Sequence, residues 1–234
     1  MSKPRKDPTT TIIDSLKAFI ADEHYELNTR LPPEREMCER MNVSRTALRK
    51  ALGVMEADGL IWRHVGRGTF VGNMPLDQTD GISSIISRTN PIEVMEARLR
   101  MEPELARLAA LHATTADLET MQLCYRKSCS AREWRVYETW DNKLHLAIAE
   151  ATHNAVLISL YQTLNTVRRA IVWGRSRQDK PVPDANHHSH TEHLGIIESI
   201  SNRHMEDAAD KMGRHLESVQ KNLMKSYAST PASS

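Results

Sequence analysis

Residues 31–71 read LPPEREMCERMNVSRTALRKALGVMEADGLIWRHVGRGTFV, and this stretch decides the first part of the fold. Pro32 and Pro33 suit a helix start, because proline lacks the N–H that goes unpaired there. Glu34 and Glu36 follow in the first turn, where the helix dipole favours negative charge. That helix is expected to end near Met41, with Asn42-Val43 as a turn and Ser44 as the N-cap of the next helix. Leu48, Ala51, Leu52 and Met55 then mark one buried face at the i, i+3, i+4, i+7 spacing. Arg45, Thr46, Arg49 and Lys50 lie beside or opposite that face, all within the first two turns. A helix whose N-terminal half shows water a cluster of cations and hydroxyls is suited to a polyanion. Guanidinium forks match guanine edges or phosphates, and the backbone N-terminus can meet a phosphate.

Working outward, Gly59 sits where a C′ glycine ends a helix. Residues 60–63 and 69–71 read as two short strands, with His64, Gly66, Arg67 and Gly68 in the connection. The glycines permit positive φ there, and Arg67 between them makes the tip basic. Such a wing can reach a minor groove. The alternative is a surface hairpin whose arginines are merely solvated. Upstream, Ile12, Ile13, Leu16, Phe19 and Ile20 give a first helix over 9–23, and residues 24–30 form a loop. The reading is therefore three helices plus a hairpin over residues 1–74 and a linker over 75–81. An all-helical antiparallel bundle over 82–234 follows, so the fold class is mainly α.

Composition narrows the classes. The chain has 234 residues and a net charge of +1, and residues 1–74 carry 12 Lys and Arg against 10 Asp and Glu. Net charge thus carries no argument for a polyanionic partner; the clustering of Arg45, Arg49, Lys50, Arg63 and Arg67 does. No apolar run approaches the ~20 residues that span a membrane. The first ten residues lack a signal core, and Cys38, Cys124 and Cys129 form no CxxC and cannot all pair. Reduced thiols in a cytoplasm are the simplest account.

From Ile82 on, the periodicity predicts helices over 82–88, 91–112, 115–130, 132–152, 154–176, 188–202 and 204–227, with no strand. Asp141 and His145 are i and i+4 on one of these, flanking the apolar row Trp140, Leu144 and Ile148. His193 is in line with Ile196, Ile197 and Ile200, and His215 with Met212 and Val219. Three imidazoles and one carboxylate bordering three buried stripes can converge on a divalent transition metal and leave positions open. Hydrogen-bonded core histidines would give the same pattern. His187, His188 and His190 are read as a loop cluster at the start of their helix. Arg98 adjoins the inward row Met95 and Leu99, an odd place for an unpaired charge. It suits either a carboxylate ligand, by a bidentate fork, or an ion pair with Glu102 one turn on. Arg168, Arg169 and Trp173 extend the effector reading, although a solvated helix face explains the arginines as well.

LPPEREMCERMNVSRTALRKAL with GLIWRHVGRGTFV resembles the winged helix-turn-helix of the GntR family of bacterial transcription regulators, over nearly all of residues 9–72. The resemblance implies that Arg35, Ser44, Arg45, Thr46, Arg49, His64, Gly66 and Arg67 contact operator DNA. The chain has Lys50 where the family usually has glutamate. EVMEARLRMEPELARLAA, WDNKLHLAIAEATHNAVL and EHLGIIESISNRHMEDAADKMGRHL resemble the FCD ligand-binding domain of the FadR-type branch. In that group a D-x-x-x-H pair and two later histidines bind a metal, commonly zinc or nickel. Here they are Asp141, His145, His193 and His215, and Arg98 in the EAR segment is placed at the effector. The expectation is a homodimeric bacterial cytoplasmic repressor on a palindromic operator, released by a small hydroxy-acid or sugar acid. The alternatives are a purely structural metal with no acid effector, or a zinc enzyme fused to a DNA-binding domain. The latter lacks any HExxH motif.

Overall fold

The computed structural model describes residues 8–64, 66–72, 80–173 and 188–228. The chain divides into two compact units, Met1–Pro75 and Leu76–Ser234. The first contains α1 (Pro8–Asp22), α2 (Glu34–Met41), α3 (Arg45–Ala57), β1 (Ile61–His64) and β2 (Gly68–Val71). The second contains α4 (Asp80–Arg88), α5 (Pro91–His112), α6 (Thr115–Cys129), α7 (Trp134–Glu150), α8 (Ala155–Trp173), α9 (His188–Ser201) and α10 (Met205–Ala228). α4 begins at Asp80, inside the span expected to be linker. α7 starts two residues later than its periodicity suggests, at Trp134. The expected end of α8 at 176 and the histidine at 187 lie outside the described residues.

In the first unit, Asn42 takes the left-handed conformation at φ 51°, and its N–H and that of Val43 return to carbonyls of α2. The chain is thereby turned sharply into α3, whose N-cap Ser44 accepts from the Ala47 N–H at 3.2 Å. α3 ends in a Schellman arrangement. Gly59 has φ 72°, its N–H meets the Glu56 carbonyl, and the Leu60 N–H meets Met55. Leu48, Ala51, Leu52 and Met55 are all buried, with Leu16, Leu31, Met37, Ile61 and Val71, in one core.

β1 and β2 are antiparallel, with Trp62 opposite Phe70 and their rings stacked at 4.2 Å. The loop before α2 also joins this sheet. Leu31 N–H donates to Thr69 and Val71 N–H to Thr29, so β2 is bonded on both edges. Gly68 has φ 113°, a conformation that side chains rarely adopt, and the Arg30 guanidinium lies over it. Arg63, counted in sequence among the exposed basic cluster, is instead tied to Glu56 of α3 by its backbone N–H and its guanidinium. It anchors the wing to α3 while its side chain remains exposed.

In the second unit α6 and α7, α7 and α8, and α9 and α10 pack as sequence neighbours, and α10 lies along α5. The core is alanine-rich where helices approach closely, with Ala106, Ala109 and Ala110 of α5 and Ala208 of α10, and is filled by Met121, Leu144, Ile148, Ile196, Met212 and Leu216. Asn90 caps α5, and Thr114 with Asp117 forms a capping box on α6. The α9–α10 corner turns through Arg203 at φ 60°, whose guanidinium donates to the Ala110 and Ala113 carbonyls at the end of α5. No helix of the described residues is long and apolar enough to cross a membrane.

Leu48 is fully buried at the centre of the first unit. Leu48→Ala is expected to destabilise that unit by about 2–5 kcal/mol, the cost of lost burial plus a cavity. Chemical denaturation followed by circular dichroism checks it, as an early transition separated from that of the helical unit.

Candidate functional site

Three buried imidazoles meet inside the helical unit, and they come from the three helices the sequence indicates. His145 is carried by α7, His193 by α9 and His215 by α10, and one ring nitrogen from each lies within 4.8 Å of the others. His193 Nε2 and His215 Nε2 face each other at 3.2 Å. Two nitrogens bound at about 2.0–2.1 Å to a tetrahedral ion would be about 3.3 Å apart, so this spacing needs little adjustment to hold one. Asp141, one turn before His145, places Oδ1 3.5 Å from His193 Nε2.

The tautomers are set by carboxylates. His145 Nδ1 is 2.6 Å from Glu102 Oε2, and His215 Nδ1 is 2.8 Å from Glu192 Oε2. An ionised carboxylate accepts only, so each ring carries its proton on Nδ1 and presents a bare Nε2. His145 Nε2 is buried with no hydrogen-bond partner among the described residues. An orphaned buried acceptor costs free energy, and a metal ion removes that cost. His193 differs: its Nδ1 meets no acceptor among the described residues, so the ring is oriented by packing and by Asp141. Burial, with the neighbouring imidazoles, pushes the His193 pKa well down, and burial also lowers His215. These two rings are therefore neutral near pH 7, as metal ligands must be. Burial works against the Asp141 carboxylate, yet His145, His193 and Arg168 hold its pKa at about 2. The three clustered imidazoles fit zinc or a similar divalent ion, with Asp141 beside His193 as a candidate fourth donor.

Arg98 is present at this site, engaged by a carboxylate of its own helix. It is buried, and its Nε and Nη2 donate to Glu102 at 2.5 and 3.3 Å. Of the two readings of Arg98, the ion pair is the one the structure holds. Its role reaches the imidazoles through Glu102, whose pKa stays far below the usual carboxylate range: burial opposes this, and Arg98 and His145 override it. The guanidinium beside Asp141 is Arg168, with Nη1 3.9 Å from Oδ2. Burial, together with the Arg98 charge, lowers its pKa. Arg169, one residue on, is half-buried and has its own interactions, and its pKa is likewise lowered by burial and by Arg168. The Trp173 side chain lies outside the described residues. Tyr161 of α8 is buried beside these groups, where burial and the Glu102 charge raise its pKa and keep its hydroxyl protonated.

Sequence reasoning missed Glu102 and Glu192 as supports of the imidazoles. Glu192 directly precedes His193, yet it serves His215 across the helix pair, with Ser218 donating to its other oxygen at 2.9 Å. His190, read in sequence as one of the loop histidines, is instead buried in the first turn of α9, 3.3 Å from the Cys129 thiol and edge-on to Tyr137. Its place one turn before His193 is the signal that could have found it.

In the first unit, Arg35, Ser44, Arg45, Thr46, Arg49, His64, Gly66 and Arg67 are all exposed. Arg35 lies alongside Glu39, and Arg45 and Arg49 both approach Glu34 of α2. Gly66 has φ 79°, so the wing tip uses the conformation that glycine permits.

A family model described as bacterial regulatory proteins, gntR family, matches residues 8–71, and one for the FCD domain matches residues 93–218. The "Uxu operon transcriptional regulator" of Escherichia coli (strain K12) is 31% identical, over 89% of this chain and 84% of that protein. The "Glc operon transcriptional activator" of the same strain is 28% identical, over 95% and 91%. The "Putative L-lactate dehydrogenase operon regulatory protein" of that strain is 28% identical, over 89% and 83%. The matched domains and relatives are transcription regulators rather than enzymes.

Because a carboxylate orients His215, Glu192→Gln is expected to weaken zinc binding by about 10–100-fold, the usual range for removing such a support. Competition with a chromophoric chelator measures it; an unchanged affinity would show that the ring is held by packing alone.

Proposed function

Because the chain belongs to the GntR family of bacterial regulatory proteins and carries an FCD domain, we propose that it is a metal-dependent repressor released from its operator by a small carboxylic acid. It is a DNA-binding transcription regulator, and the exposed cationic face of α3 with the wing is the surface for DNA. Arg45 and Arg49 read base edges in the major groove, Ser44 and the N-terminus of α3 meet phosphate, and Arg67 enters the minor groove. One such helix spans only a few base pairs. A second copy on a palindrome doubles the site, and the helical unit offers the larger surface for a homodimer.

The single observation that carries the sensing half is the orphaned His145 Nε2 beside the facing His193 and His215 nitrogens. His145, His193, His215 and Asp141 would hold the ion, which when bound supplies a Lewis-acidic position for a ligand oxygen. The chain's part is to hold the imidazoles oriented with Asp141 ionised, and to keep Arg168 near that position for the second carboxylate oxygen. This replaces Arg98, which Glu102 has already engaged. The cationic, hydrogen-bonding lining suits a small hydroxy-acid or sugar acid better than a long acyl chain. The name of one relative, a putative L-lactate dehydrogenase operon regulatory protein, fits a hydroxy-acid. Release requires that the acid bind the two states of the protein with different affinity.

A thermal-shift screen of the full-length protein with small hydroxy- and sugar acids, each with and without prior chelation, tests the sensing half. A ligand of the folded state raises its apparent stability by mass action. The expected result is an upward shift with one acid class that chelation removes. No shift in metal-loaded protein would leave the ion a structural role. For the DNA half, Arg49→Ala is expected to abolish binding to a duplex selected from a random library while keeping the wild-type circular dichroism spectrum. Arg168→Ala should bind that duplex normally but lose most of its release by the acid, read by fluorescence anisotropy; a wild-type release curve overturns its assignment.

A further inference from the structure

Two arginines of α3 share one carboxylate of α2. Glu34 Oε2 receives Arg49 Nε at 2.8 Å and Arg45 Nε at 3.4 Å. Arg45 and Arg49 are four residues apart and so on one face of the helix. Their side chains are 69% and 56% exposed, whereas that of Glu34 is only 23% exposed. The carboxylate thus sits beneath the two guanidiniums rather than beside them in water. In both arginines the contact uses Nε, which leaves the Nη1 and Nη2 end unengaged by Glu34. That end is the fork that pairs with guanine O6 and N7.

We propose that Glu34 is a positioning residue that aims the Arg45 and Arg49 forks at base edges and so sets sequence selectivity rather than overall DNA affinity. The inference rests on the base-reading role given above to these arginines. A carboxylate close to a DNA interface repels phosphate, so its effect on general affinity is unfavourable or neutral. What it supplies is order. A long side chain bonded at Nε loses fewer conformations when its fork meets a base, and two like charges on one helix face are held apart at fixed positions by the anion between them. Glu34 is ionised, as this role requires. Burial raises its pKa somewhat, but the hydrogen bonds and charges of Arg49 and Arg45 bring it below the usual range. Its place in the first turn of α2 adds the helix dipole on the same side.

The experiment is selection and sequencing of random-sequence duplex DNA by the full-length protein, followed by anisotropy titrations against the enriched duplex and a scrambled one. Wild type is expected to enrich a motif. Glu34→Ala should lower the preference for that motif over scrambled DNA by about tenfold, the scale of one bidentate base contact. Its affinity for scrambled DNA should be equal or higher, with flattened base preference at the guanines. Glu34→Gln keeps an acceptor for both Nε–H groups and should fall between the two; it also serves if the alanine variant does not fold. Unchanged preference in a folded variant overturns the proposal. So does an equal loss on both duplexes, which would make Glu34 a structural residue only. Failure of the wild type to enrich any motif brings down the base-reading role itself, a result distinguishable from failure of the Glu34 variants alone.

Discussion

Glu102 is a charged group in a place where charge is costly, and much of the helical unit is arranged around meeting it. Burying a lone carboxylate carries a large desolvation cost, offset only by close, well-oriented partners. Glu102 has two: Arg98 on its own helix and His145 from α7. The pair Arg98–Glu102 fixes the carboxylate on α5, and the carboxylate fixes the His145 ring. One interaction therefore joins α5 to α7 and determines which His145 nitrogen faces the other two imidazoles. The Glu192–His215 contact repeats the device between α9 and α10. Removing one partner from such a buried set leaves an uncompensated charge, at a cost of about 3–5 kcal/mol.

The elements were legible because both units obey simple periods. The apolar faces of α1, α3 and α5 through α10 appear at helical spacing, and the turn residues Asn42, Ser44, Gly59 and Asn90 stand where the chain bends. Asp141, His145, His193 and His215 were legible because each borders such a face, and a polar residue there must meet something polar. The supporting groups were harder to read. Periodicity places a side chain on a face but does not say which residue of another helix docks against it. Glu192 lies next to a candidate ligand yet serves a different one. Arg168 and Arg169 are adjacent, and only the packing of α8 against α5 and α7 decides which approaches Asp141. The pairing of residues 28–31 with β2 was hidden because it is a few backbone hydrogen bonds with no alternating pattern.

Carboxylates position cationic or imidazole groups in both units, but with different strength, and the difference follows burial. Arg98 and Glu102 are almost fully excluded from water, so their attraction is little screened. The Glu34 contacts are partly exposed, where an ion pair contributes only about 0–1 kcal/mol. A weak tether suits a surface side chain that keeps its Nε bond while its fork adjusts to DNA, because little is lost when the guanidinium shifts slightly. A strong one suits a site that must present fixed donors.

Arg168 lies between these limits, and this is what suits it to the carboxylate contact proposed for it. At 3.9 Å from Asp141 Oδ2 its Nη1 is beyond hydrogen-bond range, and its Nε donates to Asn165 Oδ1 at 3.3 Å. Burial together with the nearby Arg98 charge disfavours its cation. An incoming carboxylate would relieve that unfavourable charge, whereas the charge of Arg98 is already met by Glu102 through Nε and Nη2. Of the two arginines near the imidazoles, the less satisfied one gains more from an acid, and such a contact shifts the protein between states only where one state forms it better than the other.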